Sequence, residues 1–265
     1  MVSIVRVEQA PFHELPHRTS GPSRKPLRNR LPFHRTWATG LPDGVDALIF
    51  TSDLQGREDG GANRLMGVPV AEALMALVAK GTIPQPQAAF LCGDLYDYPD
   101  CHKRGGTGPV EEVYEAFAGL APQVLAVHGN HDELADPKTL PRNVQILDGQ
   151  VRNTAGLRVG GVSGIIGNPR RHQRRDEEGF LAVMESVTAR RPHIILLHQG
   201  PEDAERHRRG DPGVTLSLAT GYTGLTVFGH THWDWPWLIS IGDGQALNVD
   251  GRVVVLLRGD DHVCG

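Results

Sequence analysis

The chain has 265 residues, of which 39% are hydrophobic, and this is enough for one large domain or two small ones. Its formal net charge of −4 excludes a general attraction to nucleic acids or anionic membranes. The three cysteines, Cys92, Cys101 and Cys264, form an odd set without a CxxC pair, so neither a disulfide framework nor a structural zinc site is indicated.

The sequence shows neither a membrane span nor a secretion signal. Its apolar runs fall short of the roughly 18 residues that cross a bilayer. The first residues, MVSIVRVEQAPFHELPH, lack the apolar stretch of a signal peptide. We therefore expect a soluble, cytoplasmic protein, in a reducing compartment that also suits unpaired cysteines.

Residues 1–44 differ in composition from the rest of the chain. They are rich in Pro, Arg and His, as in PHRTSGPSRKPLRNRLPFHR, and show little periodicity that would support a helix or a strand. We predict that residues 1–44 form an N-terminal extension, either wrapped on the protein or partly mobile. Residues 45–265 are predicted to form one α/β domain.

From residue 45 onward, apolar strands alternate with amphipathic helices. The segments VDALIF, AAFLC and QVLAVH are predicted strands, and VPVAEALMALVAKG and PVEEVYEAFAGL are the helices between them, with Pro109 in the first turn of the second helix. Further strands are predicted at LRVGGVSG, HIILLH, LTVFGH and RVVVLL, with a helix around EEGFLAVMESVTARR. This alternation favours right-handed crossovers and a mainly parallel sheet.

Five of the apolar runs end in a short polar cluster. These strand ends read FTSDLQG, FLCGDLYD, LAVHGNHDE, IILLHQGP and TVFGHTHW. Because ligands of open α/β sheets bind beyond the carboxyl ends of the strands, we expect the clusters to converge on one place. Asp, Asn and His side chains with glycine beside them suit a site for divalent metals.

In their order and spacing, the five clusters resemble the signature of the calcineurin-like metallophosphoesterases. That signature consists of Asp-x-His, Gly-Asp-x-x-Asp, Gly-Asn-His-Asp/Glu, a lone His and Gly-His-x-His. The corresponding residues here are Asp53-Leu54-Gln55, Gly93-Asp94-Leu95-Tyr96-Asp97, Gly129-Asn130-His131-Asp132, His198 and Gly229-His230-Thr231-His232. Four blocks match in full, and Gln55 stands where the family usually has a histidine.

The resemblance implies a fold and an activity. The implied fold is a four-layer α/β/β/α sandwich of two mixed β-sheets flanked by helices. The implied activity is metal-dependent hydrolysis of a phosphodiester or phosphomonoester by a hydroxide that bridges two divalent metal ions, without a covalent enzyme intermediate. Manganese is the expected metal, with iron or zinc as alternatives.

The resemblance also implies roles for individual residues. The implied metal ligands are Asp53 and His232 at the first ion, Asn130, His198 and His230 at the second, and Asp94 as the bridge between them. His131 would face the substrate, where it stabilises the transition state or protonates the leaving oxygen, and Asp97 would orient it.

Gln55 leaves two interpretations open. A neutral amide oxygen is a weaker donor to transition metals than imidazole, so the first metal should bind less tightly. In one interpretation Gln55 still contacts the metal or a water on it, and the site holds two ions. In the other the first site is labile, and the isolated protein retains mainly one metal.

Two arginine-rich segments bear on the substrate. Arg170, Arg171 and Arg174, in GIIGNPRRHQRRDEEGF, could hold substrate phosphates, unless they belong to a solvated loop. The segment ERHRRGDPG, residues 205–213, presents the same choice. The expected partner is a phosphoester substrate (a nucleotide, a nucleic acid or a small phosphoester), with no membrane, and the oligomeric state is left open.

Two other functions are alternatives to a general hydrolase. One is a catalytically weakened scaffold of the same fold that binds a protein partner, which Gln55 favours. The other is a nucleic-acid-processing enzyme recruited through the basic extension, whose binding would depend steeply on salt. Against the scaffold stand the many convergent polar residues, because a binding surface has no need of such a costly set.

Overall fold

A computed structural model of the chain describes residues 1–21, 24–103 and 105–259. Cys264, one of the three cysteines, lies outside these residues. The strands in chain order are β1 (Ser3–Val7), β2 (His13–Ser20), β3 (Pro26–Thr39), β4 (Ala47–Ser52), β5 (Arg57–Glu58), β6 (Ala88–Leu91), β7 (Gly108–Pro109), β8 (Val124–Ala126), β9 (Asp132–Glu133), β10 (Val144–Ile146), β11 (Gln150–Thr154), β12 (Leu157–Val162), β13 (Ile165–Ile166), β14 (Arg174–Arg175), β15 (Ile194–Leu197), β16 (Leu225–Phe228), β17 (Leu238–Ile241), β18 (Gly244–Asn248) and β19 (Arg252–Arg258).

The α-helices in the described residues are α1 (Gly67–Ala79), α2 (Glu111–Leu120), α3 (Glu177–Thr188) and α4 (Pro212–Gly221). Side chains in the first turns explain where several of these helices begin. Asp176 caps α3 by accepting from Gly179 N, and two glutamates in the first turn of α2 suit the positive end of its dipole. The prediction that Pro109 belongs to the first turn of this helix is wrong, because Pro109 lies in β7 and pairs with β9.

Two mixed sheets form the framework. The larger has the strand order β10-β8-β6-β4-β19-β3-β2-β5, with β1 also paired to β3. The smaller has the order β11-β12-β15-β16-β18-β17. In the larger sheet β4, β6 and β8 are parallel neighbours, and in the smaller sheet β12, β15 and β16 are, as the alternation of strands and helices predicts. Both sheets are mixed, because each also contains an antiparallel pair: β19 with β4 in the larger sheet, and β17 with β18 in the smaller one.

Alternate faces of the strands pack into different layers. Phe50 and Phe90 of the larger sheet stack with ring centroids 4.9 Å apart and share a core with Val227 of the smaller sheet. Ile49 points to the opposite face, where it packs with Leu74 of α1 and other residues of α1 and α2. The remaining helices, α3 and α4, contact each other and the smaller sheet. The layers are therefore helix, sheet, sheet and helix, which confirms the predicted four-layer sandwich.

Residues 1–44 contain regular structure that the sequence did not indicate. They form β1, β2 and β3, and β3 pairs antiparallel with β2 and parallel with β19, in a register that places Phe33 opposite Val253. We expected neither a helix nor a strand there, and this expectation is wrong. Pairing with a distant strand satisfies the backbone N–H and C=O groups of a segment even where its own hydrophobic periodicity is poor. The division of the chain at residue 44 stays a prediction.

Among the described residues, no helix is both long enough and apolar enough to cross a membrane.

Candidate metal centre

The polar clusters converge at one edge of the sandwich. Asp53 follows β4, Asp94 follows β6, Asn130 and His131 follow β8, His198 follows β15, and His230 and His232 follow β16. Their strands are parallel within each sheet, so all of these carboxyl ends lie at the same edge. A cavity of about 300 Å³ is lined there by Asp53, Gln55, Asp94, Gly105, His131, His230, His232 and Asp250.

Unusual backbone conformations bring the side chains inward. Asp53, Asp94 and His230 have φ angles of 53°, 55° and 69°, in the left-handed region that side-chain-bearing residues rarely adopt. Gly129 allows the closest approach, because a Cβ atom at this position would lie 2.0 Å from Asp94 Oδ1. The chain turns sharply after each strand, and the polar atoms are drawn together.

Asp94, His198 and His230 form the tightest group of possible metal ligands. One ligand atom from each lies within 4.8 Å of those of the other two. His198 is fully buried, and its Nδ1 lies 2.6 Å from the carbonyl oxygen of Cys92. If Nδ1 carries the proton and donates to that carbonyl, the lone pair of Nε2 is left for a cation.

Two buried atoms of the predicted ligands stand out in the described part of the chain. Asn130 Oδ1 makes no hydrogen bond, and His198 Nε2 lies 3.3 Å from Asp94 Oδ2, where a protonated ring forms an ion pair. Buried polar atoms in proteins nearly always have a partner, so the unpaired oxygen of Asn130 fits a bound divalent cation.

The protonation of the histidines also reflects the crowded charges. Burial by itself would lower the pKa of His198, but the adjacent Asp94 carboxylate raises it to about 10. Burial, together with the charge of His198, lowers the pKa of His230 to about 4. His198 therefore takes a proton in the metal-free protein, and a cation that binds there must displace it.

The residues predicted for the first metal are arranged differently. Asp53 Oδ2 already accepts hydrogen bonds from Ser52 Oγ at 2.7 Å and His230 N at 2.8 Å. Burial, and then the charge of Asp250, raise the pKa of Asp53 well above its ordinary value. The side chain of His232 is 54% exposed, whereas His198 is fully buried. This half of the centre is more open and already hydrogen-bonded.

Gln55 faces the centre with its amide nitrogen. Its Nε2 lies 3.1 Å from Asp94 Oδ2 and donates to it, and its backbone oxygen accepts from Thr19 Oγ1 at 3.4 Å. An NH₂ group cannot bind a cation, so the ligand role predicted for Gln55 requires the amide to turn over. The ligand role of Gln55 stays a prediction. In the arrangement observed, its amide donates a hydrogen bond to one oxygen of Asp94, the carboxylate that is implied to bridge the two metals.

The ring of His131, like that of His232, is partly open to the cavity. Its backbone N–H donates to Asp94 Oδ1 at 3.1 Å, while its ring Nδ1 lies 3.4 Å from Thr107 Oγ1 and its Nε2 4.0 Å from Asp94 Oδ2. Asp97 is fully buried, and its Oδ1 accepts from Tyr98 N at 2.8 Å. The orientation of His131 by Asp97 stays a prediction, and Thr107 is a further candidate for that role.

Asp132 joins the turns of two different strands. Its carboxylate accepts from Asp94 N at 2.8 Å, Leu95 N at 2.7 Å and Gly129 N at 2.7 Å. The residue is fully buried, so these charge-assisted bonds replace its contacts with water. Asp132 therefore braces the turns that carry Asp94 and Asn130, in keeping with a turn-forming role.

Replacement of Asp132 by Ala is expected to lower the free energy of unfolding by about 3 kcal/mol or more, because three backbone N–H groups lose a charged acceptor. Urea unfolding of the metal-free protein measures this loss, and Asp132→Asn, which keeps one carbonyl oxygen, should lie between Asp132→Ala and the wild type. An unfolding midpoint of Asp132→Ala equal to that of the wild type would contradict the bracing role.

The three arginines suggested as phosphate ligands are not equivalent. Arg170 and Arg171 are exposed on the loop that precedes β14. Arg174 is half-buried in β14, and its positive charge contributes to the lowered pKa of His230. Of the three, Arg174 is the one with an electrostatic influence on the centre, and its contact with a substrate stays a prediction.

Asp250 is the main residue at the centre that sequence analysis missed. It is 2% exposed, lines the cavity, and places Oδ1 3.1 Å from His232 Nδ1. A carboxylate at Nδ1 directs the other ring nitrogen of a histidine toward a metal. The available signal was the segment ALNVDG, an apolar run that ends in an acid like the strand ends of the recognised motifs.

The layered sandwich, with oxygen and nitrogen donors gathered at its strand ends, defines a protein of the metallophosphoesterase fold. The chain belongs to the calcineurin-like phosphoesterase family, whose profile matches residues 47–234. The resemblance predicted from the five motifs is thereby confirmed.

The comparison with solved structures includes a crystal structure of a protein of unknown function from Aquifex aeolicus. It is 14% identical in sequence to this chain, with a TM-score of 0.34, and the similarity covers 79% of this chain and 95% of the other. No curated protein sequence matches the chain at a significant level.

Proposed function

We propose that the protein is a metal-dependent hydrolase of phosphoric esters. The observation that supports this best is the convergence of Asp94, His198 and His230, whose ligand atoms lie within 4.8 Å of one another. Gathering buried polar groups so closely has a cost in free energy that a bound cation would reduce. Family membership supplies the class of reaction, phosphoester hydrolysis.

The donor set favours one firm and one weak metal position. Asp94, Asn130, His198 and His230 would hold the firm ion, because they combine one charged oxygen, one neutral oxygen and two imidazoles. Asp53 and His232, with Gln55 nearby, would hold the weak one. Mixed oxygen and nitrogen donors suit manganese best, with iron or zinc as alternatives.

Bound divalent cations would supply a nucleophile at neutral pH by lowering the pKa of water, and would neutralise charge on the phosphoryl group. The residues of the chain would do the rest. Asp94 holds the backbone of His131 through Oδ1, so the imidazole ring stands at the cavity, where it can give a proton to the leaving oxygen. Arg174 adds positive charge near His230, and this favours a bound anion.

The shape of the site supports an ester with a sizeable substituent. A second cavity, of about 320 Å³, shares Asp53, Gln55 and His232 with the metal centre and is walled on the other side by the β2–β3 hairpin, including Thr19 and Asn29. A group attached to a phosphate in the centre could extend along this hairpin, which lies outside the residues matched to the family.

The scaffold alternative is supported by Gln55, whose amide occupies an oxygen of Asp94. It gives no reason for the close convergence of Asp94, His198 and His230, which a protein-binding surface would not need.

The direct test of the proposal is hydrolysis by protein that has been stripped of metal and reconstituted with manganese. Bis(p-nitrophenyl) phosphate and p-nitrophenyl phosphate are compared as diester and monoester. We expect turnover that depends on added metal. A folded, metal-loaded protein that hydrolyses neither ester would favour the scaffold.

Replacement of Gln55 by His is expected to raise the metal retained after dialysis from about one ion per chain toward about two. The imidazole would bring a lone pair in place of the NH₂ group that donates to Asp94. Elemental analysis of dialysed protein measures the ratio, and Gln145→His, at an exposed position of β10, controls for adventitious binding by an added histidine. An unchanged ratio would mean that residue 55 does not limit metal retention.

A further inference from the structure

A large cleft lies beside the metal centre. It has a volume of about 790 Å³, with the loop of residues 206–209 on one side, residues 234–236 on the other, and His230 and His232 in its lining. The two histidines also line the cavity of the metal centre. The cleft, here called the arginine cleft, is therefore continuous with the place where the phosphoester would react.

The arginines of the cleft differ in how far their charge is compensated. Arg208 is 10% exposed, lies 3.5 Å from Asp203 Oδ2, and donates to the backbone oxygen of Pro236. Arg206 lies 3.2 Å from the same carboxylate oxygen. These two side chains support the walls of the cleft. Both of them share the single carboxylate of Asp203.

Arg209 carries the uncompensated charge. Its side chain is exposed in the cleft and forms no salt bridge with any residue in the described ranges. Its backbone oxygen accepts from Thr231 Oγ1 and from Trp233 Nε1, both at 3.0 Å. These bonds tie the backbone of Arg209 to the segment that carries His230 and His232. The backbone of Arg209 is therefore held at a fixed position relative to the metal centre.

The opposite wall presents an aromatic ring. Trp235 is 43% exposed, and it meets the ring of Trp237 edge-on, with centroids 5.8 Å apart and an interplanar angle of 83°. Trp237 is itself buried. An edge-on contact supports the exposed ring and leaves a flat face free for stacking. The acid of this wall, Asp234, is fully exposed and lies 4.0 Å from His232 Nε2.

We propose that the arginine cleft is a subsite for a nucleotide portion of the substrate, with a base stacked on Trp235 and a second phosphate bound by Arg209. An exposed guanidinium beside an aromatic face suits this combination of an anion and a planar ring. The inference rests on the proposed function. It specifies the substrate as a phosphodiester that links nucleotides, and not as a small phosphomonoester.

The test compares thymidylyl-thymidine with the same dinucleotide bearing a 5′-phosphate, in metal-loaded enzyme. We expect the added phosphate to lower KM about tenfold or more, as one charge-assisted contact would. Arg209→Gln should remove this advantage, while Arg152→Gln, at an exposed position of β11, should keep it. Trp235→Ala should raise KM for both dinucleotides.

The inference is overturned if the 5′-phosphate gives no advantage, or if Arg209→Gln retains it, while bis(p-nitrophenyl) phosphate is still hydrolysed. Failure of the proposed function looks different, because then no ester is turned over. In that case calorimetric binding of thymidine 3′,5′-bisphosphate decides about the subsite alone. Weaker binding to Arg209→Gln than to Arg152→Gln would support the subsite, and equal binding would overturn it.

Discussion

Asp94→Asn is expected to lower kcat for phosphoester hydrolysis by about 10²- to 10³-fold or more and to reduce metal retention. Asp94 supplies the charged oxygen of the tightest ligand group, and Oδ2 lies within reach of both His198 and Gln55. The substitution keeps the shape of the side chain and removes its charge.

The fold of Asp94→Asn should be retained. Asn keeps a carbonyl oxygen that can accept from His131 N, and its own backbone N–H still donates to Asp132. Thermal unfolding of the metal-free protein checks this point, and Asp243→Asn, at an exposed position, controls for the loss of one negative charge. Undiminished turnover by folded Asp94→Asn would remove the proposed centre altogether.

His131→Gln is expected to lower kcat by about 10²- to 10⁴-fold for esters with poor leaving groups, while the metal content stays unchanged. The ring is partly exposed in the cavity, and its backbone N–H anchors the turn to Asp94, so removal of the ring leaves the anchor in place. A proton donor is needed most when the leaving alkoxide is a strong base. The loss should therefore be larger for an alkyl phosphodiester than for bis(p-nitrophenyl) phosphate.

The ratio of these two losses separates proton donation from other roles. A residue that only shapes the site would reduce hydrolysis of both esters by a similar factor, and a metal ligand would reduce the metal content. His102→Gln, on an exposed part of a nearby loop, serves as the matched control. Equal losses for the two esters would count against a role for His131 as proton donor.

Much of the core could be predicted because its signals are local. The segments VDALIF and AAFLC are apolar except for Asp46, as buried parallel strands require, and they became β4 and β6. The ends of these strands carry Asp53 and Asp94, so the position of the candidate centre followed from strand direction alone. The starts of helices are harder to predict. Pro109 was placed in the first turn of α2, but it pairs with β9 as part of the short strand β7.

The N-terminal strands could not be predicted in this way. β3 lies between β2 and β19, and its partner β19 is near the other end of the chain. Its Arg and Pro residues hide the alternation of a strand, while the inward Phe33 belongs to a core assembled from distant segments. Pairing of this kind depends on long-range contacts that no local window contains.

The order of the donors could be read from the residues, because strand ends and their glycines are encoded within a few positions. The family and the layered fold followed from the resemblance that these motifs carry. Three-dimensional contacts were needed to find Asp250 beside His232, the amide nitrogen of Gln55 at Asp94, and Arg209 at a cleft next to the centre. Side-chain direction and the approach of remote loops are set by packing and hydrogen bonds across the whole molecule, and these form only when the chain is folded.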